Sequence, residues 1–324
     1  MLRKEQSSYW KDKYRKMFKN MHSWGDVYGN KDIVSGDLTW KFTPRKLFNK
    51  DSYVSLIGNC WTQDLSIILD QLPTQIKVPS YQIDVPENRE IHFNDSGTLR
   101  QQFELAVGGL KELHEEPLWK TSKGYVHPFL EYHKYFKTEK ECRVYADKIF
   151  ESVKDSILNS DVIFITIGIV EHWINPKNNL IYRTIPHPDI INDLQPEFKR
   201  QTTQDVLDDL EKIYNIILLH NKDCKVILDM TPATIRTTFT DLDVRQASRD
   251  GISRIRAAIG EFVEKYPDIS HFPSYELIYD SKDWVSFMQK DYRHITYETQ
   301  LYLSSMFIDF YGDGIEYHRD YLNE

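Results

Sequence analysis

Apolar positions recur along this chain in two alternating rhythms. Tyr53-Val54-Ser55-Leu56-Ile57 is a short β-prone run that stops at Gly58. Leu65, Ile68, Leu69 and Leu72 then fall at i, i+3, i+4 and i+7, one face of a helix, and Pro73 ends it. A second helix is predicted over 139–158. Thr138 and Glu141 open it at capping-box spacing, and Tyr145, Ile149, Val153 and Ile157 form its stripe. Residues 161–168 follow as a nearly continuous apolar strand, the pattern of a strand buried on both faces of a parallel sheet. Val206, Leu207, Leu210, Ile213, Tyr214, Ile217 and Leu218 predict another helix, and 225–230 a strand that stops at Thr231-Pro232. Ile252, Ile255, Ile259, Phe262 and Val263 predict a further helix. A short strand over 274–278 and a helix over 297–310 complete the series.

Strand, helix, strand, helix points to an α/β fold with a mostly parallel sheet. Residues 1–50 read as an N-terminal arm with a basic, solvated helix over 9–21, and 51–324 as the main domain. Residues 74–135 carry several prolines and weak periodicity, and read as a long insertion near the site. Of the 324 residues 40% are hydrophobic and 28% charged, enough for a packed core. Acids outnumber bases 49 to 41, a balance that disfavours nucleic acid, which is bound through clustered Lys and Arg. The three cysteines, Cys60, Cys142 and Cys224, form neither a disulfide framework nor a C-x-x-C metal site. With no apolar leader and no run near the ~20 residues a span needs, the expectation is a cytoplasmic protein without a bound metal or cofactor.

Sites in open α/β sheets form beyond the carboxyl ends of the strands. Gly58-Asn59-Cys60 occupies one such end. A thiol at a helix N-terminus feels the positive end of the dipole, which lowers its pKa, and its own N–H is a natural oxyanion donor. On these residues alone, Cys60 is either a nucleophile or a small buried core residue. Asp291-Tyr292-Arg293-His294 is either a base with its orienting carboxylate or an ordinary polar loop. Glu171 and His172, past the 161–168 strand, could orient substrate or tune Cys60, or His172 could simply pack.

Several motifs in order resemble one known family. Leu56-Ile57-Gly58-Asn59-Cys60-Trp61 resembles the I-G-S-C-F-A signature of the GSCFA family, a branch related to the SGNH (GDSL-type) hydrolases. His92-Phe93-Asn94 followed by Ser96 and an apolar helix resembles its F-N-x-x-S/T region, and 165–173 its T-L-G-x-x-E-x-W strand end. Met230-Thr231-Pro232-Ala233 is similar to V-S-P-V, and Phe272-Pro273-Ser274-Tyr275-Glu276-Leu277 to F-P-S-Y-E-I. Asp291 and His294 fall where the superfamily keeps D-x-x-H. The Gly-Asn-Cys opening also resembles capsule-polysaccharide acetyltransferase-like proteins.

The resemblance implies a three-layer α/β/α domain and an acyltransferase or esterase working through Cys60, His294 and Asp291. Position 59 carries no hydroxyl, so retained chemistry requires Cys60. The Gly-x-Asn of SGNH enzymes is replaced by Gly168-Ile169-Val170, which leaves Asn94 to supply the oxyanion donor, with Gly58, Asn59 and Gly168 around it. A carbohydrate or glycan precursor is the implied substrate, and acyl-CoA would suit as donor. A non-catalytic glycan-binding protein on the same fold is the alternative.

Overall fold

The computed structural model describes residues 45–71, 93–108, 116–130, 134–281 and 284–315. Its first half runs β1 (Val54–Ile57), α1 (Cys60–Gln71), α2 (Ser96–Ala106), β2 (Trp119–Thr121), β3 (Gly124–Val126), α3 (Glu139–Asn159), β4 (Val162–Ile167), β5 (Glu171–Ile174) and β6 (Ile181–Tyr182). The second half runs α4 (Ile191–Leu194), β7 (Glu197–Arg200), α5 (Thr203–His220), β8 (Lys225–Met230), α6 (Val244–Lys265), β9 (Ser270–Phe272), α7 (Ser274–Tyr279) and α8 (Tyr297–Tyr311). The predicted helix over 9–21, the stop at Pro73 and the match at His92 lie outside the described residues.

The central sheet has the order β1-β4-β8-β9, with every pairing parallel. Side chains alternate across it. Ile163, Ile165, Val226 and Leu228 face one way, into a core shared with α2, α3, α5 and α6. Val162, Phe164 and Ile227 face the other way, onto Trp61 and Leu65 of α1 and Phe307 and Tyr311 of α8. Helices thus cover both faces, and the architecture is three-layer α/β/α. That is why β4 reads as an unbroken apolar run: all six of its residues are buried. The capping box at Thr138 and Glu141 is formed as its spacing predicts.

Two expectations change. The 274–278 run is helical, and the last strand lies just before it at Ser270–Phe272. Pro273 has no N–H to give a ladder but fits a helix start, where that donor would be unpaired anyway. Second, the segment read as an insertion holds α2, the helix expected after Ser96, and it is a core helix packed against α3 and α5. Its periodicity is weak because Gln101 and Gln102 occupy core positions. Gln101 exchanges hydrogen bonds with the backbone of Ile181 at 2.8 and 2.9 Å, and Gln102 donates to Phe129 O at 3.0 Å.

An antiparallel sheet of order β6-β5-β7 sits beyond the end of β4. Among the described residues no helix is long and apolar enough to cross a membrane. None of them form a group of three or more His, Cys, Asp or Glu placed to hold a metal ion.

Candidate functional site

The turn after β1 is built around two residues without room for change. Gly58 has φ +152°, and a Cβ there would meet Thr166 O at 2.4 Å. Asn59 is buried and caps α1: its Oδ1 accepts from Trp61 N at 3.0 Å, and its backbone oxygen accepts from Thr62 Oγ1 at 2.6 Å. Thr231 Oγ1, from the end of β8, also approaches Asn59 Oδ1 at 3.4 Å. The Asn59 Nδ2 donor is buried and has no partner among the described residues. It lies against Gly168, where an added Cβ would come within 2.9 Å of it.

Cys60 is the first residue of α1 and opens into a cavity of about 330 Å³. Its thiol differs from the expectation. Burial raises its pKa, and Asp64 adds to that; Arg293 and the N–H groups of Cys60 and Trp61 pull the other way and do not prevail. The helix-end effect is present but smaller than desolvation. The resting group is the thiol. Cys142 and Cys224 are buried in the core, and burial pushes both up to about 12.

Asn59, Cys60, Asn94, Gly168, Glu171 and His172 all line this one cavity. Their contacts refine the roles. The Gly168 N–H donates to Asn94 O at 2.8 Å, so it is spent and is no oxyanion donor. The same oxygen takes Ile169 N at 3.0 Å, which ties the Asn94 segment to the end of β4. Glu171 accepts from Thr238 Oγ1 at 2.7 Å and Phe239 N at 3.2 Å, with Arg200 Nε at 4.0 Å. Its carboxylate therefore pins the loop that forms one cavity wall.

Two His–Asp pairs flank the site. His294 Nδ1 lies 2.6 Å from Asp291 Oδ2, and Asp291 Oδ1 accepts from the backbone N–H of Arg293 and His294 at 3.0 and 3.1 Å. Slight burial opposes, but these N–H groups and the imidazole hold the Asp291 carboxyl well below its usual range. Tyr292, at φ +53°, turns the chain between them. Arg293 reaches into the cavity, anchored by Nε to Thr234 O at 3.1 Å, whereas His294 is not among its described lining residues. The second pair is His172 Nδ1 with Asp95 Oδ1 at 3.2 Å. Asp95 is buried, yet its carboxyl lies below the usual range: burial works to raise it, and His172 with the N–H and hydroxyl of Thr98 outweighs that. Sequence reasoning missed Asp95 and Arg293. Arg293 lay in plain view inside the D-x-x-H step, while Asp95 showed only a cap residue ahead of α2.

The GSCFA family model matches residues 53–307, and the motifs from Leu56 to His294 all fall inside that span. The chain belongs to the GSCFA family. No curated protein matches its sequence significantly. Among solved structures, a carbohydrate esterase family 3 protein from Talaromyces cellulolyticus is 9% identical with a TM-score of 0.37, over 79% of this chain and 94% of that one. An acetyl esterase solved with acetate ion is 11% identical with a TM-score of 0.31, over 78% and 93%. Likeness this slight has no bearing on the reaction.

Proposed function

We propose that this GSCFA protein is an acyl-group enzyme, an ester hydrolase or acyltransferase, with Cys60 as nucleophile and His294, oriented by Asp291, as base. The observation that carries this is the convergence on one cavity of Cys60, at the head of α1, and Arg293, from inside the Asp291–His294 step. A thiol that burial keeps protonated needs a base for attack. With Nδ1 bonded to Asp291, the other ring nitrogen of His294 takes the thiol proton. The sulfur attacks the acyl carbonyl, and the developing oxyanion is met by the Cys60 N–H and the side-chain amide of Asn94 or Asn59. Collapse to a thioester expels the alcohol or thiol, which takes the proton from His294. Water or a sugar hydroxyl then accepts the acyl group. A carbohydrate ester is the substrate on this reading, with acyl-CoA as the donor where transfer occurs and no bound cofactor.

A second assignment of the base rests on a specific observation: His172, paired with Asp95, lines the cavity directly. Intact-protein mass spectrometry after a pulse of 4-nitrophenyl acetate tests both. Wild type should carry an acetyl group on Cys60, and Cys60→Ala neither adduct nor turnover. Removing the true base costs about 10²- to 10⁴-fold in rate, so His294→Ala compared with His172→Ala names it. Turnover by Cys60→Ala at the wild-type rate sinks the proposal.

A further inference from the structure

The reaction accounts for the thiol end of the cavity but not for its charge. Arg183, Arg236 and Arg293 line it, in a chain whose net charge is -8. Glu171 is the only carboxylate among its described lining residues, and it is engaged by Thr238, Phe239 N–H and Arg200. Arg236 and Arg293 pair with no carboxylate among the described residues; Arg293 spends only its Nε, on Thr234 O. Guanidinium groups left without acids at a cavity wall match the fork of a phosphate or carboxylate.

The same wall carries aromatic surface. Phe239 is 47% exposed. Its ring is backed edge-on by Trp173 at 5.1 Å and at a tilt by Phe198 at 5.9 Å. A large apolar ring half in solvent at the wall of an arginine-lined cavity suits stacking on a ligand ring. The backing rings fix it in place, so ordering it on binding costs little.

We propose, resting on the acyl-transfer reading above, that the Cys60 cavity is built for an anionic ligand. The ligand is a ring-bearing molecule whose phosphate or carboxylate is held by Arg236 and Arg293 while its ring lies against Phe239. The anion could sit on the carbohydrate or on a nucleotide-type acyl donor, and both present the same chemistry to the arginines.

The test is calorimetric binding of inorganic diphosphate, glucose 1-phosphate and free coenzyme A to the full chain, as wild type, Cys60→Ala, Arg236→Gln and Arg293→Gln. Wild type and Cys60→Ala should bind diphosphate equally, and each arginine variant about tenfold or more weakly, as loss of a charge-assisted contact predicts. Bound diphosphate should also slow alkylation of Cys60 by iodoacetamide. Tighter binding of glucose 1-phosphate places the anion on the carbohydrate, and of coenzyme A on the donor. Binding without esterase turnover would leave the anion site standing and remove the acyl chemistry. Absence of binding to wild type, equal binding by Arg236→Gln, or alkylation indifferent to diphosphate overturns the proposal. Arg236 is exposed on a loop, so its substitution leaves folding intact even if Arg293→Gln does not.

Discussion

Asp229→Asn tests how a bare carboxyl survives in the middle of the sheet. Asp229 lies on β8 between Thr166 of β4 and Phe272 of β9, with no solvent exposure. Thr166 Oγ1 donates to its Oδ2 at 3.0 Å, and no cationic side chain pairs with it among the described residues. Burial pushes its pKa well above the usual range, Glu276 adds to this, and the hydroxyls of Ser274 and Thr166 oppose without prevailing. Ser274 Oγ lies 2.5 Å from Asp229 Oδ1 and 3.0 Å from Met230 O, and its single hydrogen can serve one of them. When Asp229 is neutral, its O–H donates to Ser274, whose own hydrogen goes to Met230, and every donor is used. Below about pH 4 both folded and unfolded chains hold the proton and the group contributes nothing to pH dependence. As pH rises past that point the unfolded chain releases it first and so binds fewer protons. Wild-type stability then falls by up to about 1.4 kcal/mol per pH unit until the folded pKa is reached. Asparagine does not titrate, and its amide can replace the O–H toward Ser274. Its second N–H, left unpaired, adds a constant penalty of about 1–3 kcal/mol that does not vary with pH. Between about pH 5 and about pH 7 the variant should therefore gain on wild type by up to about 2.7 kcal/mol. Urea unfolding of both proteins across that window, at equal m, measures the difference. A difference that stays flat over the window refutes the argument, because Asp229 would then ionise alike in both states.

Two other perturbations probe the site itself. A Cβ at Gly168 would lie 2.7 Å from Thr231 Cγ2 and 2.9 Å from Asn59 Nδ2, so Gly168→Ala should cost about 1–3 kcal/mol in urea unfolding and cut ester turnover. A variant of unchanged midpoint and rate would show that the strand ends have slack. Iodoacetamide should alkylate wild-type Cys60 with a rate that climbs from about pH 7 to about pH 9, because burial and Asp64 keep the thiol protonated. Arg293→Gln should slow it and Asp64→Asn speed it, and a rate already level by about pH 7 would contradict the raised pKa.

The parts of the fold that were legible are those where burial is symmetric or a cap is local. β8 matches its predicted span to the residue, since Val226 through Met230 are all buried and Thr231-Pro232 ends the run. The start of α3 follows from a capping box written three residues apart, Thr138 and Glu141. The miss at 270–279 came from a five-residue run, 274–278, whose apolar spacing suits either element. What decided it was tertiary: β9 pairs with β8 only from Ser270 to Phe272. α2 was expected after Ser96 only through the family resemblance, because buried glutamines paired to distant backbone look polar in a sequence, and nothing local says that Ile181 waits for Gln101.

The site divides along the same line. The Gly58-Asn59-Cys60 turn and the Asp291–His294 hydrogen bond are short-range features, written in residues close in sequence. The Asp95–His172 pair spans 77 residues, and the sign of the Cys60 shift depends on burial and on Asp64 and Arg293, so neither could be read locally. This bears on which histidine moves protons. In the mechanism proposed above the base passes the thiol proton on to the leaving group, so its ring must turn between the two. His294 is 39% exposed and Asp291 45%, which leaves that pair room to turn. His172 is 10% exposed against a buried Asp95 that also caps α2 through Thr98. Moving His172 would disturb that cap, so its geometry favours a fixed wall over a mobile base. On the proposed mechanism, then, the buried pair shapes the cavity wall and the exposed pair acts from its edge, with Arg293 coupling the exposed pair's loop to the thiol.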